Sequence, residues 1–543
     1  MMYKKYQKYL KILICPKYLK SLYASAIPVA FASVLLLLIP GCDTAHVERP
    51  SEPPEGLSEW IEEGLDQWGI PGLAVAVVHK DEVVFIDGFG IRKLGEPDLV
   101  DEHTLFGVAS ITKAITATAF GILVDEGLVS WDDPVVDHLP DFRLYDDWAT
   151  EQLTIRDALT NRSGLGRMIG NRLQFMTDRD RSELIYRLRY LEPEIPFRSG
   201  YVYNNMMYLV AGEIIPAVTG QSWDEFVTER IFDPLGMDRS NTSITEIAED
   251  ENAAWPHQEI RGELLTIPRR DFDNAGPAAS VNASVADMAQ WMRLHLGDPG
   301  VVDGDRLVSE SVMREIHTTQ IALPEREMFG DMRGYALGWF IEYHRGTRIQ
   351  RHGGGTDGMN TTIMLMPELD LGLIVTANTF TMFRDAIAYR ILDHYLGYGD
   401  ETDWNRQLLE EHRRRYEYEM ARRDTIHNLR QQHVPPSLPE VRFAGRYYDD
   451  LYGELEVLEE DGRLVLRFWE DDALMADLEH WEGDRYRAVW RNPAQREKFV
   501  EFVLGPRAVV EGIDVTINLR PNMLQVGAYP SDYTRTVRYR RAD

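Results

Sequence analysis

The chain has 543 residues, 44% of them hydrophobic and 10% aromatic, enough for about two to four domains with sizeable cores. Lys plus Arg number 58 against 88 Asp plus Glu, and the first 41 residues hold six lysines and no acid, so the remainder stands at 52 minus 88, or -36. This balance repels phosphate backbones, which excludes nucleic-acid binding, and reads as solvated surface. Cys15 and Cys42 are the only cysteines. The folded part therefore has no disulfide, thiol nucleophile or Cys-ligated metal.

The lysines at 4, 5, 8, 11, 17 and 20 precede an apolar run over 22–39 that ends in Ile39-Pro40-Gly41-Cys42. This is the layout of a secretion signal. The ending is similar to a bacterial lipobox, in which the Cys, here Cys42, is acylated. The run also approaches the ~18 residues of an uncleaved transmembrane anchor, and Pro40 is unusual in a lipobox. Both readings predict an exported protein, held at the membrane through residues 1–42 and a polar tether over 43–55 containing Pro50, Pro53 and Pro54.

Residues 56–68 have the spacing of an amphipathic helix, followed by strands over 72–78 and 82–86. Helices are predicted over 110–126, 206–218, 222–232 and 285–296, and strands return over 336–343, 361–366 and 372–377 before a helix over 383–396. A sheet divided between both ends of a region predicts an α/β sandwich with an inserted helical lobe over 56–400. A charged helical connector and the Pro-rich stretch around 434–439 fill 401–440. From 441 to 543, short alternating runs at 453–458, 463–468, 485–490, 499–504 and 533–540 predict an all-β, barrel-like domain. Trp469, Trp481 and Trp490 read as its core.

Ser110-Ile111-Thr112-Lys113 opens the helix at 110–126, and past residue 42 the chain has only Lys80, Lys93, Lys113 and Lys498. Positions i and i+3 share a helix face, so the Lys113 amine can reach the Ser110 hydroxyl. The bland alternative is a Ser cap with an exposed Lys. Phe197-Arg198-Ser199-Gly200 leads into Tyr203-Asn204-Asn205 at a helix start, and Arg351-His352-Gly353-Gly354-Gly355 lies between two strand-like runs. Singly, Tyr203 reads as a packed aromatic, Asn205 as a helix cap, His352 as structural and the glycines as a turn. The string 353–358 matches a dinucleotide fingerprint but lacks the following helix, so no cofactor is expected. No metal site is expected, because His79, His103, His295, His317 and His394 are scattered without paired spacing.

Together and in this order the three motifs resemble the serine hydrolases related to class C β-lactamases and penicillin-binding proteins. The resemblance extends to Asn161-Arg162-Ser163-Gly164-Leu165, Pro234-Leu235-Gly236-Met237 and Gly276-Pro277-Ala278, while the stretch 438–492 is similar to a C-terminal β domain of unknown role found in some of them. It implies Ser110 as acylated nucleophile, Lys113 as its base, Tyr203 as proton carrier, and Asn205 holding Lys113 and the substrate amide. It also implies backbone N–H groups of Ser110 and Gly355 as the oxyanion hole. Burial together with mutual positive charge is expected to depress Lys113.

One departure bears on substrate. His352 and Gly353 stand where β-lactamases and cell-wall peptidases carry Lys-Thr, so the cation and hydroxyl suited to a substrate carboxylate are weakened or absent. Relatives with His there are often esterases or act on D-amino-acid peptides. The expected activity is ester or amide cleavage of a small-molecule or peptide substrate. The competing expectation is a binding or sensor module that acylates once or not at all.

Overall fold

The structure, a computed structural model, describes residues 50–543 apart from 167–172, 174–176, 178, 261, 328–330, 429, 431–433, 469–473, 493–497, 519–533 and 543. Cys42 and the leader lie outside the described residues, as does Trp469.

Helix α1 (Leu57–Trp68) buries Leu57, Ile61 and Leu65 along one edge. A hairpin of β1 (Gly72–His79) and β2 (Glu82–Gly90) follows. The helical lobe centres on α2 (Thr112–Asp125), whose small and apolar side chains surround the axis so that every residue from Thr112 to Leu123 is buried. Around it stand α3 (Asn205–Gly212), the short α4 (Gly276–Ala279), α5 (Val285–His295) and α6 (Glu310–His317). Six strands come next: β3 (Ile321–Glu327), β4 (Asp331–Tyr335), β5 (Phe340–His344), β6 (Thr347–Thr356), β7 (Met359–Met366) and β8 (Leu371–Ala377). Because β8 pairs with β1, the two ends close one antiparallel sheet in the order β2-β1-β8-β7-β6-β5-β4-β3.

Alternation along these strands feeds two cores. Leu73, Val75 and Val77 of β1 share one with Leu373 and Val375 of β8 and with α7 (Phe383–Tyr395). Ala74, Ala76 and Val78 share the other with the helical lobe. With both faces covered, β1, β7 and β8 are buried throughout; β1 and β8 read as near-continuous apolar runs, while β7 buries the polar Asn360, Thr361 and Thr362.

Several expectations shift. The strand expected over 336–343 begins only at Phe340, because residues 336–339 turn on a bond from the Ala336 N–H to the Trp339 carbonyl. The helix expected over 206–218 divides into α3 and a second helix, Ile214–Thr219, whose Pro216 lacks the N–H that would continue the ladder. The glycine-rich string, expected between strands, lies inside β6.

Helix α8 (Trp404–Asn428) leads to β9 (Gly445–Asp449), β10 (Gly453–Glu460), β11 (Arg463–Phe468), β12 (Met475–Glu482), β13 (Arg485–Trp490), β14 (Lys498–Leu504), β15 (Val510–Asn518) and β16 (Thr534–Arg541). Pairing of β16 with β9 closes an eight-stranded barrel. Tyr447, Phe468, Tyr486, Trp490, Phe502 and Tyr539 are all buried in its core, and Trp481 is buried too. The turn between β9 and β10 rests on the helical lobe, where Arg179 donates to the Tyr452 carbonyl at 2.8 Å and Arg187 to that of Asp450 at 3.0 Å.

Candidate active site

Ser110 sits in a 3-10 turn, Ala109–Ile111, immediately ahead of α2. Ala109 before it takes φ +48°, the left-handed region that costs a non-glycine residue energy, and such positions gather at functional sites. Lys113 is the second residue of α2, and its Nζ lies 3.1 Å from Ser110 Oγ. The Tyr203 hydroxyl donates to the same Oγ at 2.7 Å. The i, i+3 spacing thus brings Lys to Ser, and Tyr203 reaches them from the segment before α3.

The bland reading of Lys113 fails, because its side chain is completely buried. Nζ donates to the Ala278 carbonyl at 2.8 Å and lies 4.8 Å and 5.4 Å from the ring centres of Tyr203 and Tyr208. Gly338, at φ +82°, crosses the helix so closely that a Cβ there would lie 2.7 Å from the Ala114 Cα and 2.9 Å from the Lys113 carbonyl oxygen. Burial holds the Lys113 amine well below its ordinary value of 10.5.

Mutual positive charge is not the cause. His352 is itself pushed down to about 3, first by burial and then by the Lys113 charge, so it is neutral at physiological pH. Its Nδ1 contacts the Gly353 carbonyl at 2.9 Å, which suits the tautomer protonated at Nδ1, and its ring stands 5.3 Å from that of Phe340.

The strand carrying His352 is placed by backbone contact. β5 pairs with β6 only as far as Phe340 opposite Arg351, so residues 352–356 keep β7 on one edge and extend beyond β5 on the other. Gly354 lies against the residues ahead of Ser110: a Cβ there would meet the Val108 carbonyl oxygen at 2.0 Å. A Cβ on Gly353, on the opposite face, would find its nearest heavy atom at 3.8 Å. Gly355 is one residue further along β6 than this close approach.

Asn205 is the first residue of α3 rather than its cap. The cap is Asn204, whose Oδ1 accepts from the Met206 N–H at 2.8 Å while its Nδ2 donates to the Gly166 carbonyl at 2.9 Å. Behind His352, Arg351 is buried among Glu342, Asp385 and the Tyr389 hydroxyl, pairs absent from the sequence reading because they join β5, β6 and α7. The structure also brings together His295 and His317, expected to be scattered, with Nδ1 3.0 Å from Nε2 in the interior. Gly107, Asn282, Thr356 and Met359, with Ile247, Phe272 and Arg270, line a mixed apolar and polar crevice; Arg270 is paired with Asp357.

The β-lactamase family profile matches residues 57–396, and a domain of unknown function, DUF3471, matches 429–526. The chain is 29% identical to an unguisins hydrolase of Aspergillus violaceofuscus over 86% of its own length and 89% of that protein's. It is 26% identical to protein flp of Staphylococcus aureus over 59% of its length and 61% of that protein's. In fold it is similar to the octameric penicillin-binding protein homologue from Pyrococcus abyssi (TM-score 0.57, 24% identity, covering 84% of this chain and 97% of that one). A class C β-lactamase from Rhodobacter sphaeroides superposes with TM-score 0.52 at 20% identity over 63% of this chain and all of that one. The chain belongs to the β-lactamase family and is a serine hydrolase of the β-lactamase and penicillin-binding-protein kind, extended by a C-terminal β-barrel.

Proposed function

We propose that the protein cleaves an ester or amide bond of a small or peptide substrate through an acyl-enzyme on Ser110. The observation that carries this is the convergence of Lys113 Nζ and the Tyr203 hydroxyl on Ser110 Oγ, with the amine buried and its ordinary basicity depressed. Neutral Lys113 takes the Ser110 proton as Oγ attacks the substrate carbonyl. Backbone N–H groups of Ser110 and Gly355 stabilise the oxyanion, and loss of one such donor typically costs on the order of 10²-fold or more. Tyr203 passes the proton to the departing alcohol or amine, and Asn205 holds the substrate amide. Water then attacks the acyl carbon by the same route and frees Ser110.

A neutral His352 in place of a fixed cation favours substrates without a free carboxylate beside the scissile bond. β-Lactam turnover is accordingly expected to be slow or absent; a chromogenic cephalosporin cleaved as fast as an ester contradicts this. Similarity to the unguisins hydrolases supports a hydrolytic reaction. For the N-terminus, the apolar run and Cys42 support an exported, lipid-tethered protein; Cys42→Ser should leave it in the soluble fraction, and retention in the membrane would instead favour the anchor.

The test is intact-protein mass spectrometry with a fluorophosphonate, beside p-nitrophenyl ester turnover, using Ser110→Ala as control. One label per chain, absent in the control, with many esters released per chain supports the hydrolase. Labelling without turnover would favour the binding or sensor module.

A further inference from the structure

We infer that Thr116 is a positioning residue: its hydroxyl fixes the 276–280 segment so that the Ala278 carbonyl orients the amine of Lys113. This rests on the proposed role of Lys113 as the base. The Thr116 Oγ1 donates to the Pro277 carbonyl at 2.7 Å and accepts from the Trp223 Nε1–H at 3.1 Å. With one bond given and one received, the buried hydroxyl has a single orientation. Thr112, four residues earlier on the same face of α2, accepts from the Val281 N–H at 3.2 Å. The two threonines hold the segment on either side of Ala278, whose carbonyl takes the Lys113 N–H at 2.8 Å.

Close packing leaves the segment little freedom to settle elsewhere. A Cβ on Gly212 would lie 2.1 Å from the Pro277 ring, and one on Gly276 would lie 2.3 Å from the Arg181 guanidinium. The string Gly276-Pro277-Ala278, conspicuous in the sequence without a stated purpose, is therefore the acceptor arm of the base. A neutral amine has two N–H groups and one lone pair. Committing one N–H to the Ala278 carbonyl restricts rotation about the terminal bond and helps direct the lone pair at Ser110 Oγ, 3.1 Å away.

The test compares Thr116→Val, which keeps the shape and removes the hydroxyl, with Thr116→Ser, which keeps the hydroxyl, in full-length protein assayed on a p-nitrophenyl ester. Thr116→Val should lower kcat by about tenfold with KM unchanged, and Thr116→Ser should recover most of the loss. Trp223→Phe should lower kcat in the same direction by a smaller factor. Equal losses in the Val and Ser variants, a loss confined to KM, or no loss in folded Thr116→Val would overturn the inference. Lys113→Ala separates the two levels: if it is inactive while Thr116→Val is unimpaired, the positioning role alone fails. If Lys113→Ala keeps full activity, the base assignment beneath it fails.

Discussion

Two buried cations stand on opposite sides of the same region of sheet, and they behave in opposite ways. On the back, Arg351 is enclosed by Glu342, Asp385 and Tyr389. Burial alone penalises its charge, but these neighbours outweigh the penalty and raise it above its ordinary value. On the front, the Nζ of Lys113 is surrounded by a hydroxyl, a carbonyl and two aromatic rings, and burial pushes it down. The difference is the company of a carboxylate. With it a buried cation stays charged and ties elements together; without it the amine becomes available to accept a proton.

Removing the front cation should have the largest effect. Lys113→Met, which fills a similar volume, should lower kcat/KM on esters by about 10³-fold or more while the protein stays folded; steady-state kinetics with a thermal melt checks both. Removing a partner of the back cation should act on stability instead. Asp385→Ala removes one of the two carboxylates around the buried Arg351 and should cost about 3–5 kcal/mol in denaturant unfolding, with the kcat of the remaining folded enzyme little altered. Gly354→Ala, whose Cβ would meet the Val108 carbonyl oxygen at 2.0 Å, should displace β6 from Ser110 and reduce kcat by about 10²-fold. Gly353→Ala on the other face, with 3.8 Å to its nearest heavy atom, should cost no more than about threefold.

A further effect is graded with pH. His317 and His352 are each held down to about 3 from 6.5, chiefly by burial, and burial also lowers His295. A depressed folded value means that the unfolded chain binds protons which the native protein refuses. Stability is therefore fully present above pH 6.5 and falls as the pH drops toward 3. Each such histidine changes the unfolding constant by up to about tenfold per pH unit inside that window. His317→Asn should flatten the slope in urea titrations; an unchanged slope contradicts it.

These comparisons also show what a sequence exposes. The Ser110–Lys113 pair was legible because both residues lie within one helical turn, and β8 because a fully buried strand is a nearly unbroken apolar run. The glycines of β6 carry no side-chain alternation, so a strand interior looked like a turn. The Arg351 partners lie 9 and 34 residues away in sequence, and the Ala278 acceptor is a backbone atom to which residue identity gives no clue. The depression of Lys113 was anticipated with half its cause: burial operates, while the neighbouring His352 contributes no charge.

The pH dependence of Ser110 acylation by an uncharged fluorophosphonate tests most directly whether the unpaired front cation serves as a neutral base. A rise that reaches its plateau well below the ordinary lysine value of 10.5 is the predicted result. A rate still climbing steeply above pH 9 and levelling only beyond about pH 10.4, as an ordinary lysine would give, contradicts it.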